Sequence, residues 1–266
     1  MSSQNHSLKI VAIIPARMGS SRFPGKPLAP ILGLPMIEHV YRRTAMCPTV
    51  QAVYVATCDL EIRDAVEGFG GQVIMTSALH KRATDRVAEA ARGLDADVVV
   101  MVQGDEPMVQ PSMIEQAVAP MLDDSQVQCV NLVKHIKDDE AYQDPNTIKV
   151  VMDRHSNALY FSREPIPTRR VLGLDRIPLF KQVCIIPFRR DLLSTYSKLE
   201  PTPLEQAESI DMLRFLEHGY KVCLVETNVE THAVDTPEDL RKVEKMMRDD
   251  PLTYQYLNPP LGGSEA

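Results

Sequence analysis

The chain has 266 residues, 44% of them hydrophobic and 24% charged, as in an ordinary globular protein with room for one large α/β domain. Its net charge of −7 disfavours non-specific binding to nucleic acid or anionic membrane, so any polyanion must be met by a local basic pocket. No apolar run approaches a membrane span, residues 1–8 lack the core of a signal peptide, and the five scattered cysteines form no C-x-x-C pair. These features predict a cytoplasmic protein with reduced thiols and no zinc site.

The first element is an apolar run, Ile10 to Ile14, which reads as a buried strand broken at Pro15. The loop that follows, Pro15 to Lys26, carries Arg17, Arg22 and Lys26 among glycines and serines. Backbone N–H groups and three cations can be brought against one polyanion by such a loop, as a nucleoside triphosphate requires. A helix over Met36–Ala45, a strand over Ala52–Ala56, a helix over Leu60–Gly68 stopped by Gly70-Gly71, and a strand over Val73–Met75 complete a β-α-β-α-β pattern. That order belongs to a parallel, doubly wound sheet.

His80, Lys81, Arg82 and Arg86 then fall within seven residues, either as a solvated helix start or as part of an anion pocket, and charge alone favours the first. Thr84 is placed to cap the helix running to Arg92. Asp97 to Val102 is apolar enough to be a central strand buried on both faces, and it ends in Gln103-Gly104-Asp105-Glu106-Pro107. Carboxylates at that position sit at the carboxyl edge of the sheet, where open α/β folds bind ligands. An Asp there can simply cap a helix, but two adjacent carboxylates beside a phosphate-type loop favour a Mg²⁺ ligand.

In the second half, strands are expected over Gln126–Val133, Ile148–Met152, Ala158–Phe161 and Val222–Val225, with Thr168–Pro178 a basic, turn-rich connection. Phe180–Phe188 reads as one core strand, Arg189–Tyr196 as a helix start, and Leu204–Leu216 as one amphipathic helix whose inward stripe is Leu204, Ile210, Leu213 and Leu216. Asp235 precedes a Thr-Pro-Glu-Asp helix start that runs to Met247, and the tail from Asp249 is expected to be loosely ordered. His39, His135, His155, His218 and His232 accompany no nucleophile and read as structural or surface groups. Cys58, Tyr160 and Phe161 read as packing residues.

Four ordered motifs carry a family resemblance. They are Ile14-Pro15-Ala16-Arg17 to Pro24-Gly25-Lys26-Pro27-Leu28, Val102 to Pro107, Ala158-Leu159-Tyr160-Phe161-Ser162-Arg163, and Val234-Asp235-Thr236-Pro237-Glu238-Asp239-Leu240. Together the motifs resemble the 3-deoxy-manno-octulosonate (Kdo) cytidylyltransferases, and the likeness covers nearly the whole chain. The resemblance implies a Rossmann-like nucleotidyltransferase fold: a mixed, mostly parallel sheet with helices on both faces and an insertion serving the acceptor and dimerisation. On that basis residues 9–130 form the nucleotide-binding core, 131–220 the acceptor and dimer part, and 221–248 a return to the core, all within one domain spanning 1–266. It also implies a Mg²⁺-dependent enzyme, a homodimer, in which an acceptor oxygen attacks the α-phosphate of CTP in line and pyrophosphate leaves. By similarity Arg17 and Lys26 hold the triphosphate with Arg22 near them, and Pro15, Ala16 and Ser20 belong to the same CTP loop. Asp105 and Asp235 are the implied metal carboxylates, with Arg86 and Gln103 in the cytosine and acceptor pocket.

The chain departs from that family on the acceptor side. The family's His-x-Ser-Gly-Thr-[Asp/Glu]-Arg stands here as His80-Lys81-Arg82-Ala83-Thr84-Asp85-Arg86, and its His-[Leu/Ile]-Gly-[Ile/Leu]-Tyr strand as Gln182-Val183-Cys184-Ile185-Ile186. A Glu-Gln pair used near the sugar acid aligns with Asp211-Met212. Ile186 and Met212 remove partners for hydroxyl groups, and each buried group left unpaired costs about 1–3 kcal/mol. Lys81, Arg82 and Lys181 add positive charge. The expectation is therefore an acceptor smaller and more highly charged than Kdo, such as phosphonoformate, bound by Lys81, Arg82, Gln103, Arg163, Lys181 and Asp211. Kdo itself or an amino variant stands as the alternative. A nucleotide-binding regulator without catalysis is the alternative of another class, and the presence of Arg17, Lys26, Asp105 and Asp235 together argues against it.

Overall fold

A computed structural model describes residues 8–20, 22–171 and 177–257. The expected connection Thr168–Pro178 therefore lies partly outside the described residues. The chain opens with β1 (Ile10–Pro15), whose six residues are all buried, as a wholly apolar run demands when both faces of a sheet are covered. A small β2 (Pro30–Ile31) and β3 (Leu34–Pro35) hairpin follows, then α1 (Met36–Ala45), β4 (Ala52–Thr57), α2 (Leu60–Gly68), β5 (Gln72–Met75), α3 (Ala83–Ala91) and β6 (Val98–Val102). β6, β1, β4 and β5 lie side by side and parallel, so every loop leaving their carboxyl ends emerges at one edge.

The helix α4 (Pro111–Asp123) has no counterpart in the sequence expectations, although Met113, Ile114, Ala117, Val118 and Met121 give it a buried face at helical spacing. Its end turns through Asp124, delaying the next strand to β7 (Val130–His135). After α5 (Asp139–Gln143) come β8 (Lys149–Met152), β9 (Ala158–Ser162), β10 (Phe180–Val183) and β11 (Ile185–Arg189). The chain closes with α6 (Arg190–Tyr196), α7 (Pro203–Glu208), α8 (Met212–Glu217), β12 (Cys223–Glu226), α9 (Pro237–Arg248) and α10 (Pro251–Leu257).

The mixed, mostly parallel sheet is one of two five-stranded sheets among the described residues. Its strand order is β11-β6-β1-β4-β5, with β11 antiparallel at one edge, and a second sheet runs β12-β7-β10-β8-β9. In the second sheet only β12 and β7 are parallel. The run Phe180–Phe188, expected as one strand, is two: the chain leaves the second sheet after Val183 and enters the first at Ile185. With no glycine or proline between Phe180 and Ile186 to mark the change, the run conceals such a switch, because Phe180 and Val183 on one side and Ile185, Ile186 and Phe188 on the other are all buried.

Leu204–Leu216, expected as one helix, is also two. Ser209 adopts φ 57° and ψ 46° and separates α7 from α8. Ile210 and Leu213 are buried as expected, whereas Leu204 is exposed because it lies beyond the break. Thr84 does not cap α3; Arg82 occupies that position, and the carboxylate of Asp211 accepts the Thr84 N–H at 3.0 Å and its hydroxyl at 2.8 Å. Of the tail expected to be loose, residues 258–266 lie outside the described residues, and the described part instead forms α10. Its Tyr256 hydroxyl meets His39 Nδ1 at 2.7 Å, and Thr253 Oγ1 accepts from the fully buried Arg43 at 2.6 Å, with Asp250 completing the ion pair.

Candidate active site

The parallel pairing of β1 with β6 places the loop after Pro15 beside the turn after Val102. Gly104 passes so close to β1 that a Cβ there would lie 2.8 Å from the Pro15 carbonyl oxygen, and this approach brings Asp105 against the basic loop. The loop is held by the Ala16 N–H donating to Ala56 O at 3.0 Å, Met18 N–H to Asp59 Oδ2 at 2.7 Å, and Gly25 N–H to Met18 O at 3.1 Å. Gly25, at φ 73°, makes the left-handed turn that starts the single 3-10 turn Lys26–Leu28.

Lys26 is thereby driven between two carboxylates. Its Nζ donates to Asp105 Oδ2 at 2.9 Å, to Asp235 Oδ1 at 3.3 Å and to the Val234 carbonyl at 2.7 Å. Burial works against its charge, but Asp105 and then Asp235 outweigh that and raise its pKa above the usual lysine value. Arg22 donates to Asp235 Oδ1 at 3.0 Å and reaches Asn146 on the opposite rim. Arg17 is exposed and makes no ion pair among the described residues.

Asp235 is fixed from its own side. Asp239 accepts the backbone N–H groups of Asp235 and Thr236 at 3.1 and 2.9 Å, completing a capping box at the start of α9. The Val234 N–H donates to the Asp105 carbonyl at 2.9 Å. Two carboxylates more than a hundred residues apart in sequence thus face one ammonium group. The second acid of the pair, Glu106, behaves differently: it is buried, accepts the Thr231 hydroxyl at 2.7 Å, and its carboxyl is pushed up to about 7 by burial and then by Asp105.

Two adjoining cavities, of about 520 and 270 Å³, share walls at Arg17, Arg22, Lys81, Arg82, Ala83, Gln103, Asp105 and Asp235. Pro15, Ala16, Arg17, Ser20, Arg22, Lys26, Arg86 and Gln103 all line the smaller one. Lys81, Arg82, Gln103, Arg163, Lys181 and Asp211 all line the larger one. Several of these groups are already engaged. Arg86 is buried and donates to Thr76 Oγ1 and the Ser77 carbonyl. Arg163 donates to the carbonyls of Glu208 at 2.7 Å and Pro145 at 3.0 Å. Arg82 is neutralised by Glu205 and Asp211, at 3.5 and 3.8 Å. Burial raises the pKa of Asp211, although its bonds from Thr84 work the other way. Lys81 and Lys181 have no ion pair among the described residues, and both face the larger cavity.

Sequence reasoning missed Asn146 and Thr231, whose polar loops lie opposite the nucleotide edge; His80, noted with its basic neighbours, pairs with Glu89 at the rim of the smaller cavity. Spacing along the chain carries no signal for the first two. No helix among the described residues is long and apolar enough to cross a membrane, and the five cysteines are free thiols.

Residues 11–227 match the sequence model of the family described as "Cytidylyltransferase". A protein of Geobacter metallireducens named 3-deoxy-manno-octulosonate cytidylyltransferase is 48% identical over 251 residues, covering 91% of this chain and 99% of that protein. One of the same name from Syntrophotalea carbinolica is 47% identical over 248 residues, covering 91% and 99%. A solved structure described as CMP:2-keto-3-deoxy-manno-octonic acid synthetase complexed with CTP superposes with a TM-score of 0.84 at 43% identity, covering 90% of this chain and 98% of that one. With the basic loop, the paired carboxylates and the whole-length matches in agreement, the chain belongs to the cytidylyltransferase family.

Proposed function

We propose that this protein transfers CMP from CTP to Kdo in a Mg²⁺-dependent reaction and releases pyrophosphate. The observation that carries the reading is the convergence of Lys26, Asp105 and Asp235 at the carboxyl edge of the first sheet, with Arg22 paired to Asp235 and Arg17 on the wall of the same cavity. In the reaction an acceptor hydroxyl oxygen forms a bond to the α-phosphorus, the α–β anhydride bond breaks, and the hydroxyl proton is lost. Such transfers depend on positioning and charge neutralisation more than on covalent help. Arg17, Arg22 and Lys26 supply the cations for the β- and γ-phosphates, and the loop that Gly25 closes supplies the turn around them.

Asp105 and Asp235 fit a hard divalent cation. Both carboxylates reach one point, now occupied by the Lys26 ammonium, and both remain partly open to solvent at 30% and 25% exposure. Among the described residues no group of three or more His, Cys, Asp or Glu converges, which suits a Mg²⁺ held by one or two carboxylates together with substrate phosphates and water. When bound, the ion adds positive charge at the reacting phosphate.

Kdo is favoured over phosphonoformate on two grounds. The relatives at 43–48% identity described above carry 3-deoxy-manno-octulosonate or its synonym in their names. The extra charge that suggested a smaller, more anionic acceptor is also partly cancelled inside the protein, because Arg82 is spent on Glu205 and Asp211. Lys81 and Lys181 remain for a single carboxylate, in a cavity of about 520 Å³ that has room for an eight-carbon sugar acid. Assembly as a homodimer belongs to the same reading, and sedimentation of the purified chain tests it.

Pyrophosphate release with CTP, UTP, ATP or GTP against Kdo, its 8-amino variant and phosphonoformate tests the whole. CTP with Kdo is the expected productive pair. Turnover of phosphonoformate without turnover of Kdo would overturn the acceptor assignment, and CTP binding without turnover of any acceptor would restore the regulator.

A further inference from the structure

The corner between α7 and α8 forms one wall of the larger cavity, through Ser209, Ile210, Asp211 and Met212. It turns on Ser209, a non-glycine residue in the left-handed region, which needs surrounding contacts to hold it there. Those contacts come from a distant element. Arg82, at the start of α3, donates to Ser209 Oγ at 2.5 Å and to the Glu205 carbonyl at 3.1 Å, so its guanidinium seats on the carboxyl end of α7. In return Asp211, at the start of α8, accepts from the Thr84 N–H and hydroxyl at the amino end of α3.

Glu205 is held in place in turn. It is almost fully buried and receives both Nε and Nη2 of Arg214 at 2.7 Å, while Arg214 Nη1 reaches Asp85 on α3 at 3.1 Å. The two elements therefore exchange ties in both directions. α3 also carries Arg86, which lines the smaller cavity, so the exchange links the wall of one cavity to the wall of the other.

We infer that Arg82 is a positioning residue for the acceptor: from the wall that the two cavities share, it fixes the Ser209–Met212 corner and so sets how the larger cavity grips its ligand. The inference rests on the proposed function for the identity of the ligand, but not for the latch. Lysine cannot replace the guanidinium, because a single ammonium cannot span a hydroxyl, a carbonyl and two carboxylates with the geometry of the planar fork.

The test uses the full chain with Arg82→Ala and Arg82→Lys, steady-state kinetics with CTP and Kdo, and amide hydrogen exchange of the segment 209–212. Arg82→Ala is expected to raise the KM for Kdo about tenfold or more while the KM for CTP stays within about twofold, with Arg82→Lys intermediate. Exchange in residues 209–212 should quicken in both variants. An equal rise in both KM values, a Kdo KM unchanged from the parent, or unchanged exchange would overturn the inference. If Arg82→Ala does not fold, Arg82→Lys carries the same readouts. If the parent chain does not turn over Kdo at all, the proposed function fails, and the exchange measurement alone decides whether Arg82 fixes the corner.

Discussion

Gly104→Ala places the sharpest demand on the geometry of the nucleotide edge. A Cβ at residue 104 would meet the Pro15 carbonyl oxygen at 2.8 Å, while its other neighbours, on Ile37 and Ile14, lie at ordinary distances of 3.5 and 3.6 Å. The clash is with backbone, and that backbone is pinned: β1 is paired on both sides, and the next N–H, of Ala16, is bonded to Ala56 O. The turn carrying Asp105 therefore has to give, by roughly half an ångström. Overpacking of this kind costs about 1–3 kcal/mol, which for a chain of this size lowers Tm by a few degrees. Because a misplacement of about 1 Å can cost about 100-fold in rate, the expected fall in kcat/KM is on the order of tenfold. Pyrophosphate release with CTP and Kdo, alongside a thermal melt, measures both. Gly93→Ala is the control, since nothing lies within 4 Å of a Cβ there. Parent-like Tm and rate in Gly104→Ala would refute the close approach as the device that places Asp105.

Other perturbations probe other parts of the molecule. Asp105→Ala and Asp235→Ala should each lower turnover at least about 100-fold while leaving the melt cooperative, since both are partly exposed groups at a sheet edge; near-full activity in either removes that residue from the metal assignment. Asp250→Ala leaves Arg43 buried without its carboxylate, a loss of about 3–5 kcal/mol that a urea midpoint would register. His39 is depressed to about 4, by burial first and then by Arg43 and Arg42 against the opposing bond to the Ile31 carbonyl. The unfolded chain thus takes up the proton first, so the stabilisation is complete above about pH 6.5 and is lost as the pH falls toward 4. By linkage that loss is roughly 2–3 kcal/mol. The urea midpoint should drop over this range in the parent and drop less in His39→Gln; identical drops would show that another group is responsible.

The first half of the fold was legible because its signals are local. Ile10–Ile14 and Val98–Val102 are continuous apolar runs, Gly70-Gly71 ends a helix, and the motif residues fall at the loops that follow. The eight residues expected around CTP all line the smaller cavity and the six expected around the acceptor all line the larger, but Arg17, Arg22, Lys81, Arg82 and Gln103 line both. What could not be read was which of them are free. Arg82, Arg163 and Asp211 are bound to Ser209, Glu208 and Thr84, partners that no spacing rule connects to them. The same holds for the break at Ser209 and for α10, whose order comes from a buried arginine some two hundred residues earlier.

The switch of sheets at Cys184 bears on how the chain can be divided. β11 covers the flank of β6, pairing Ile185 to Arg189 with Val102 to Val98, and the Cys184 carbonyl accepts the Gln103 N–H at 3.1 Å. A fragment ending near residue 130 would contain every strand of the parallel layer yet leave β6, whose five residues are all buried here, as a bare edge. Such a fragment is expected to aggregate when expressed alone. During synthesis, likewise, β6 gains its second neighbour only once residue 189 has emerged, and the nucleotide edge is complete only with Asp235.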